Sequence, residues 1–550
     1  MKCIGLKTDR PLAHTMVNQE HESLLSDTER SQGRVALRNN VAAASALADA
    51  VRSTLGPKGL DKMLVGGGKT VVTNDGVTVL ETAKVEHPTA KMLITQSSAQ
   101  DRVAGDGTTS TVIITAELLQ NALELIEMGI HPTLVENGYR IACEEVMNQI
   151  SSISKEASED DARRAVLTSL SGKSDEGVRV HLANLAVEAA RALTTEIDGE
   201  KRADQTLVKK LHQIGRPSTE TELVNGLVLE KQPLHPDMTM YPEGGKIFIL
   251  DGGISRRKPD MDVSLKVTSL GMTKALNQQE IADIRNRVEI IANTGCNLLC
   301  VRDGIDDDAR KLLLDAGITT YRRIEKPDLE LLARATGATI VHELTLARAS
   351  DLGDFSSFTT TKWEGVSHMQ LVGAKLGGLT LIVRGTTKTR AEEVERGFDD
   401  ATGVSCGLVK DGRIMPGGGA TQVALSRHLR QFAPTVKGRE QLAIEAFAAA
   451  LEAIPRILAQ NAGLSPLDEL LKLNAAQSEN GDWVGLNIFT GEMESMYDAG
   501  VIEPLAVSKN AIAGAMEAAV SVMRIDDVLW ANQDPSIPDW EKSDGTPGET

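Results

Sequence analysis

The sequence has little of what marks secreted or membrane-spanning proteins. It contains only five cysteines, an odd number with no regular spacing, which fits a reducing cytoplasm better than a disulfide framework. No run of about 18 residues is free of polar side chains, so no transmembrane helix is expected. The first residues, MKCIGLKTDRPLAH, lack the apolar core of a signal peptide. We therefore expect a cytoplasmic protein.

Positive charge is also scarce. The 77 aspartates and glutamates outnumber the 59 lysines and arginines, which gives a formal net charge of −18. Such an excess repels nucleic-acid phosphates and anionic lipid surfaces, so we expect neither nucleic acid nor a membrane as partner. Aromatic residues make up only 3% of the chain, whereas hydrophobic residues make up 41%. Small and aliphatic side chains must therefore build the cores of two or more domains.

The cysteines do not suggest a metal centre. Cys296 and Cys300 are four residues apart in "TGCNLLCV", but no further Cys or His pair with ligand spacing accompanies them. The ten histidines are dispersed as well. Buried apolar cysteines are favoured over zinc ligands.

The segment Gly-Asp-Gly-Thr-Thr-Ser at 105–110 is the most informative part of the chain. Its glycines allow a ligand to approach the backbone closely, and Asp106 offers a carboxylate to a divalent cation. The hydroxyls and backbone N–H groups that follow, at the start of a helix predicted over 111–126, suit phosphate oxygens. Taken alone, the segment is equally consistent with a glycine-rich turn.

Three further segments are also short and rich in glycine and polar residues, and each taken alone is interpreted as a turn. They are Leu55-Gly56-Pro57-Lys58-Gly59 after a helix predicted over 40–54, Thr73-Asn74-Asp75-Gly76 between β-rich runs at 70–72 and 77–80, and Pro416-Gly417-Gly418-Gly419. Four such segments in one chain indicate a ligand site. By contrast, "GGGKT" at 66–70 is no P-loop, because Met63 stands where the first glycine belongs and a β-like run follows instead of a helix.

With these segments in view, the chain resembles a group II chaperonin subunit, of the archaeal thermosome and eukaryotic cytosolic type, over roughly residues 28–530. The matching stretches are "ADAVRSTLGPKGLDKMLV" (48–65), "VVTNDGVTVLETAKVEHPTAKML" (71–93), "AGDGTTSTVIITAELL" (104–119), "TSLSGKS" (168–174), "ERGFDDA" (395–401), "MPGGGATQVALS" (415–426), "GVIEPLAVSKNAI" (500–512) and "RIDDVL" (524–529).

The resemblance implies a multi-domain α and α/β fold with a helical equatorial domain, a small intermediate domain and an α/β apical domain with a helical protrusion. In such a fold the apical domain is inserted into the intermediate domain, which is itself inserted into the equatorial domain. The sequence is consistent with this order, because helical patterns lie on both sides of a central stretch of short β-rich runs. The expected boundaries are 1–154 and 410–532 for the equatorial domain, 155–224 and 378–409 for the intermediate domain, 225–377 for the apical domain, and 533–550 for a disordered acidic tail.

The resemblance implies a hairpin tip at "GGGKT" (66–70) and places the protrusion at about 267–291. Its apolar side chains, separated by polar ones, are suited to exposure: Leu270, Met272, Leu276, Ile281 and Ile284. An amphipathic helix packed on the apical core is the alternative.

The resemblance also implies an ATP site with Mg²⁺. Phosphate contacts are implied for Gly56, Pro57, Gly105, Asp106, Gly107, Thr108, Thr109 and Ser110. Leu55 is an implied contact of the nucleotide, and Asp106 is the implied Mg²⁺ ligand. Gly418 and Gly419 would pass close to the nucleotide, and Glu503 would accept hydrogen bonds from the ribose. The implied catalytic residues are Asp75 and Asp400 on the attacking water and Lys173 as a sensor of the γ-phosphate.

The chain departs from the family pattern at two positions. Asp399 replaces the histidine of "HDA", so either Asp399 or Asp400 faces the site, and we favour Asp400. Asn487 replaces the aspartate of "D-x-F-T-G", near the nucleotide, where it affects affinity rather than hydrolysis.

The function that the resemblance implies is that of an ATP-hydrolysing folding chaperone. Its partners would be non-native proteins and, in a double ring with a built-in lid, copies of itself or paralogous subunits. One alternative is a non-hydrolysing paralogue that serves as an assembly scaffold, against which the presence of Asp75, Asp106 and Asp400 argues. The other alternative is a metabolic enzyme that uses ATP, such as a kinase, but no P-loop or protein-kinase motif set is present.

Overall fold

The computed structural model describes residues 28–66, 69–83, 85–158, 160–173, 175–197, 200–241, 243–256, 270–363, 365–374 and 378–531. The acidic tail predicted over 533–550 and residues 267–269 of the predicted protrusion lie outside these ranges. So does Cys3.

The largest apolar core, which we call the helical body, joins two stretches that lie far apart in the sequence. Its central helix, Thr108–Glu127, is buried over most of its length. Pro88 and Pro132 each stand in the first turn of a helix, where a missing N–H costs nothing. The helices of the body are Gly33–Arg52, Gly76–Thr82, Pro88–Ala104, Thr108–Glu127, Pro132–Ile153, Ala420–Phe432, Glu440–Leu451, Ala453–Asn461, Pro466–Asn480 and Leu505–Met523.

Short sheets tie the two halves of the helical body together. Thr28–Gln32 pairs antiparallel with Asp527–Ala531, close to the two ends of the described chain. Arg413–Pro416 pairs with Ile502–Pro504 and with Lys155–Glu156. Two hairpins complete the set: Lys62–Gly66 with Lys69–Thr73, and Val484–Asn487 with Glu492–Ser495.

Several sequence predictions for this body need correction. The β-rich run at 77–80 lies in the helix Gly76–Thr82, which begins there because Asp75 caps its N-terminus. The partner of the strand Lys69–Thr73 is instead Lys62–Gly66, so the predicted hairpin at "GGGKT" is confirmed. The polar composition of residues 1–30 predicts an irregular segment, but residues 28–30 are in a strand. The sequence pattern of residues 438–461 predicts one helix, but the structure has two, and Pro455 near the start of the second lacks an N–H to continue the first.

A smaller middle unit lies beside the helical body. Its core is formed by helices on a three-stranded sheet whose central strand, Leu379–Gly385, is fully buried. That strand runs parallel to Val208–Ile214 and antiparallel to Glu222–Asn225. The helices are Asp161–Ser169, Glu176–Leu193 and Lys388–Asp411, and a hairpin joins Thr194–Ile197 to Glu200–Ala203.

The central stretch of the chain forms an α/β unit with one apolar core on each face of a mixed sheet. The strand order is Thr319–Tyr321, Leu298–Val301, Gly245–Leu250, Gly353–Trp363, Val366–Gly373 and Leu227–Leu229, and Ile340–Val341 also pairs with Gly245–Leu250. The helices are Leu270–Thr294, Asp307–Asp315 and Lys326–Thr336. Short 3₁₀ helices occur at Gln205–Leu207, Ser218–Glu220, Leu344–Leu346, Ala349–Asp351 and Ala433–Thr435.

The helix Leu270–Thr294 corrects part of the protrusion prediction. Ile281 is 37% exposed, as expected, but Ile284 is only 1% exposed and packs with Val288 and Ile291 in the core of the α/β unit. The C-terminal part of this helix therefore belongs to that core, and the prediction of an exposed Ile284 is wrong. The side chains of Leu270, Met272 and Leu276 lie outside the described residues.

The described cysteines agree with the sequence prediction. Cys143, Cys296, Cys300 and Cys406 are all buried and unpaired. Burial raises the pKa of the Cys296 thiol to about 11. Over the described ranges, no helix combines the length and apolar character needed to cross a bilayer.

We predict that Phe447→Ala destabilises the helical body. Phe447 is fully buried, and its ring meets Tyr139 edge to face at a centroid distance of 5.6 Å. Truncation leaves a cavity and should lower the free energy of unfolding by about 3–5 kcal/mol. The apparent unfolding temperature, measured by circular dichroism at one scan rate, should fall clearly. Phe489→Ala is the matched control, because Phe489 is 67% exposed and its loss should shift the temperature little. Equal shifts would contradict the assignment of Phe447 to the core.

Candidate functional site

A cavity of about 230 Å³ opens at one end of the helical body, where all four predicted ligand segments meet. The predicted residues that line it are Leu55, Gly56, Pro57, Asp75, Asp106, Gly107, Thr108, Thr109, Ser110, Lys173, Gly418, Gly419 and Glu503. Gly105 and Asp400 are not in the lining, but both adjoin it.

The segment at 105–110 forms the turn into the central helix of the body and the first residues of that helix. Gly107 takes a left-handed φ of 82° immediately before the helix Thr108–Glu127. The Asp106 side chain accepts a hydrogen bond from the Gly107 N–H at 2.7 Å, and Gln100 donates to the Asp106 carbonyl. The backbone N–H groups of Thr108, Thr109 and Ser110, the first three residues of the helix, have no partner within it. This end of the helix therefore suits an anion.

An ion pair links the cavity to the middle unit. Lys173 Nζ lies 2.6 Å from Asp400 Oδ2, and both side chains are largely buried. Burial raises the pKa of Asp400 to about 8; Asp75 and Asp106 add to this increase, and Lys173 opposes it. Burial by itself lowers the pKa of Lys173, but the carboxylates of Asp400, Asp106 and Asp75 outweigh it and hold that pKa above its ordinary value.

The neighbourhood of this ion pair is therefore rich in carboxylates. Burial, together with Asp75, Asp106 and Asp399, also raises the pKa of Asp101 to about 6 against the opposing charge of Lys173. Several acidic groups share one ammonium group, which leaves an excess of negative charge. A cation that arrives with a ligand would offset that excess.

The structure separates the two consecutive aspartates of "DDA". Asp400 faces Lys173 at the cavity, whereas Asp399 Oδ2 lies 2.5 Å from Lys210 Nζ in the middle unit. Their side chains are 13% and 41% exposed. This difference follows from helix geometry, because consecutive residues point about 100° apart.

The helix Lys388–Asp411 reaches the cavity through a backbone contact. Gly105 ends the helix Pro88–Ala104 with a φ of 68°, and a Cβ placed on it would lie 2.7 Å from the Gly403 Cα. Only glycine at both positions allows this approach without displacement of the backbone. Asp400, almost one turn before Gly403, is thereby brought to Lys173.

Glu503 lies at another part of the cavity wall, and its carboxylate accepts a hydrogen bond from the Ser508 hydroxyl. Burial raises the pKa of Glu503 to about 7, with a further contribution from Asp106, while the Ser508 hydrogen bond opposes the shift. Gly419 nearby has a φ of 76°, and a Cβ there would lie 2.7 Å from the Pro455 Cβ. Packing within the protein is thus sufficient reason for glycine at 419.

Asn487, which departs from the family pattern, also lines the cavity. Its Oδ1 accepts hydrogen bonds from the backbone N–H groups of Phe489 and Thr490, and its Nδ2 donates to Glu494. The residue therefore organises the tight turn that carries Phe489 into the lining.

Sequence reasoning missed the apolar walls of the cavity. They come from separate helices and strands, and each looks like an ordinary core residue in the sequence: Ile114, Ile454, Leu458, Leu486, Ile488, Phe489, Val507, Ala511 and Ile512. No local signal distinguishes them. An apolar wall opposite a polar, phosphate-suited end is typical of a site for a nucleotide.

The residues fit a nucleotide with a divalent cation. Throughout the described residues, no three His, Cys, Asp or Glu side chains converge closely enough to hold a metal by themselves. Mg²⁺ does not need such a cage, because it is usually bound by one or two carboxylates, phosphate oxygens and waters. Asp106, which lines the cavity beside the first N–H groups of the helix Thr108–Glu127, offers one such carboxylate.

Comparison with known proteins gives a consistent result. The model of the TCP-1/cpn60 chaperonin family matches residues 47–533. A thermosome subunit of Pyrococcus abyssi is 40% identical over 523 residues, which cover 94% of this chain and 95% of that protein. A thermosome subunit of Methanocaldococcus jannaschii is 42% identical over 516 residues, with coverages of 93% and 95%.

A solved structure is also similar. The open-state monomer of a group II chaperonin from Methanococcoides burtonii matches with a TM-score of 0.61 and 32% sequence identity. The match covers 76% of this chain and 100% of the chain of that structure. The predicted fold class, multi-domain with helical and α/β parts, is confirmed.

We predict that Glu503 makes the stability of the protein depend on pH. Its pKa is about 7 in the folded protein against an ordinary value of 4.5, so the folded state binds more protons than the unfolded state between these values. Stability contributed by this group is therefore present at low pH and is lost as the pH rises through about 7. Glu503→Gln should remove this loss, so its advantage in stability over the wild type should grow from pH 5 to pH 8, on the order of 1–3 kcal/mol.

Apparent unfolding temperatures of both proteins over this pH range test the prediction. Glu492→Gln, at an exposed position of the same body, is the control and should follow the wild type. A constant difference between Glu503→Gln and the wild type at every pH would contradict it.

Proposed function

The chain belongs to the TCP-1/cpn60 chaperonin family as a group II subunit, a molecular chaperone that uses nucleotide, and from this premise we propose that it hydrolyses ATP with Mg²⁺ in the cavity described above. Hydrolysis would drive the folding of non-native proteins. One observation carries the proposal: the Lys173–Asp400 pair lies beside Asp75 and Asp106, next to segments suited to phosphate.

Each predicted site residue has a role that its surroundings support. The N–H groups at 108–110 and the turn at Gly56 and Pro57 would bind phosphate oxygens, and Asp106 would hold Mg²⁺. Bound Mg²⁺ would supply neutralisation of phosphate charge. Glu503, which is half-buried beside the hydroxyl of Ser508, would accept hydrogen bonds from the ribose.

Asp400 and Asp75 would orient the attacking water. One oxygen of Asp75 is already engaged, because Oδ2 accepts from the Thr78 N–H at 2.9 Å and from its hydroxyl at 2.7 Å. Asp400 is held only by Lys173 among its hydrogen-bond partners in the described structure. Its raised pKa favours proton acceptance near neutral pH, so Asp400 is the better general base. Lys173 would bind the γ-phosphate.

The alternative of a non-hydrolysing scaffold subunit is disfavoured by this arrangement. A subunit that only binds nucleotide has no need for a buried lysine–aspartate pair beside two further carboxylates, since buried charges are costly to keep. A kinase is disfavoured because the chain carries no P-loop and belongs to a different family.

We further propose a double ring of copies of this chain or of paralogous subunits in the cytoplasm. The domain boundaries given above describe the proposed equatorial, intermediate and apical domains. The built-in lid would include the N-terminal part of the helix Leu270–Thr294, because the part from Ile284 onward is buried in the apical core.

The assembly is tested by particle mass. With a subunit of 58.9 kDa, a double ring should have a mass on the order of a megadalton. Multi-angle light scattering in the presence of ATP and Mg²⁺ should detect it, and negative-stain images should contain rings. Monomers or dimers alone, even after co-expression with a paralogous subunit, would argue against the double ring.

Hydrolysis is tested with Asp400→Ala. This variant should still bind ATP but lose turnover by roughly 10²–10⁴-fold, the usual range for loss of a positioned general base. Phosphate release and binding of a fluorescent ATP analogue measure the two effects separately.

Asp106→Ala and Asp399→Ala are the comparison variants. The first should weaken binding of Mg²⁺-nucleotide, because the cation loses its protein carboxylate. The second should cost less turnover than Asp400→Ala. If Asp399→Ala were the more damaging of the two, the assignment of Asp400 as the base would be wrong.

A further inference from the structure

Two adjacent lysines on the strand Val208–Ile214 form ion pairs in different directions. Lys209 pairs with Asp328 on the helix Lys326–Thr336 of the α/β unit. Lys210 Nζ lies 2.5 Å from Asp399 Oδ2 on the helix Lys388–Asp411 of the middle unit. Successive side chains of a strand point to opposite faces, so neighbouring residues reach different structural units.

Lys210 contacts the helix along one face. Its ammonium also lies 3.7 Å from Glu395 Oε1, and Glu395 is one helical turn before Asp399. His212, two residues further along the strand, lies 2.6 Å from the other oxygen of Glu395. The strand therefore contacts this face of the helix at two positions one turn apart, Asp399 and Glu395.

Asp400 occupies the next helical position after Asp399, about 100° around the axis. It pairs with Lys173 at 2.6 Å. The helix Lys388–Asp411 is thus held by lysines from two directions, one on the strand and one at the cavity. A rotation of the helix that breaks the Asp399–Lys210 contact necessarily moves Asp400 as well.

We propose that Lys210 is a positioning residue for Asp400: its ion pair with Asp399 fixes the rotation of the helix Lys388–Asp411, so that the Asp400 carboxylate faces Lys173. Lys210 does not line the nucleotide cavity and acts through its acidic partners on the helix Lys388–Asp411, of which Asp399 is the nearer. The role of Asp400 in hydrolysis rests on the proposed function, but its position does not.

Lys210 also supplies charge where the helix needs it. Glu395, Asp399 and Asp400 are three acidic residues within two turns, and Asp101 of the helical body interacts electrostatically with Asp399. Without Lys210, Asp399 would be an unpaired carboxylate between other carboxylates. Repulsion would then favour a helix orientation in which Asp399 moves toward solvent, and Asp400 would turn with it.

The test compares Lys210→Ala with Lys209→Ala in the full-length assembled protein. The two variants remove the same side chain from adjacent positions of one strand. Lys209→Ala loses the pair with Asp328, and Lys210→Ala loses the pair with Asp399 and the longer contact with Glu395. Lys210→Ala should lower kcat for ATP roughly 10- to 100-fold, the cost of a small misplacement of a reacting group, while KM changes little. Lys209→Ala should leave kcat unchanged, and Lys210→Arg should restore it because the charge is kept.

A second measurement needs no nucleotide. A carbodiimide joins a lysine directly to a carboxylate in contact with it, so the yield of the Lys173–Asp400 cross-link, quantified by mass spectrometry, reports the position of Asp400. The yield should fall several-fold in Lys210→Ala and stay at the wild-type value in Lys209→Ala and Lys210→Arg. The Lys209–Asp328 cross-link serves as the internal reference in Lys210→Ala.

Three results would overturn the proposal. They are a wild-type cross-link yield in Lys210→Ala, equal losses in Lys210→Ala and Lys209→Ala, or no recovery in Lys210→Arg. If the wild-type protein releases no phosphate at all, the proposed function fails, and the cross-link yields alone decide the role of Lys210. If Lys210→Ala does not assemble, Asp399→Asn, which keeps size and shape, takes its place with the same expectations.

Discussion

The ion pair between Lys173 and Asp400 is the interaction on which the arrangement of the site depends. Lys173 follows the first helix of the middle unit, and Asp400 lies on its long helix, yet their contact forms at the edge of a cavity built by the helical body. A buried pair with excess negative charge around it is costly unless its geometry is closely held. The rest of the structure supplies that geometry from both sides.

Two kinds of contact hold the long helix in place. At Gly105 and Gly403 the backbones meet directly, which sets how closely the helix approaches the phosphate-suited turn. At Lys210 an ion pair sets how the helix is rotated. Lys209 on the same strand reaches the α/β unit, so this strand connects the central unit of the chain to the helix that carries Asp400.

Much of the site could be predicted because its polar residues are grouped in short, distinctive segments. The turn at 105–110, the Asp75 turn and the glycines at 417–419 lie together at the cavity, as their residue types indicated. The errors have physical causes. Val77–Leu80 has β-branched residues typical of a strand, but the Asp75 cap and burial in the helical body make it a helix. Ile284 stands among polar residues in the sequence, like the other apolar residues of the predicted protrusion, but it is buried in the α/β core.

The sequence by itself determined the family, the order of helical and α/β stretches, and the polar groups of the site, because local turn chemistry and residue type specify these without reference to distant residues. Only the tertiary structure decided which of Asp399 and Asp400 faces the cavity, since adjacent helical residues look alike until their partners, Lys210 and Lys173, are known. It also decided the apolar walls of the cavity, because burial depends on which distant elements meet. Contacts between residues hundreds of positions apart leave no local pattern to read.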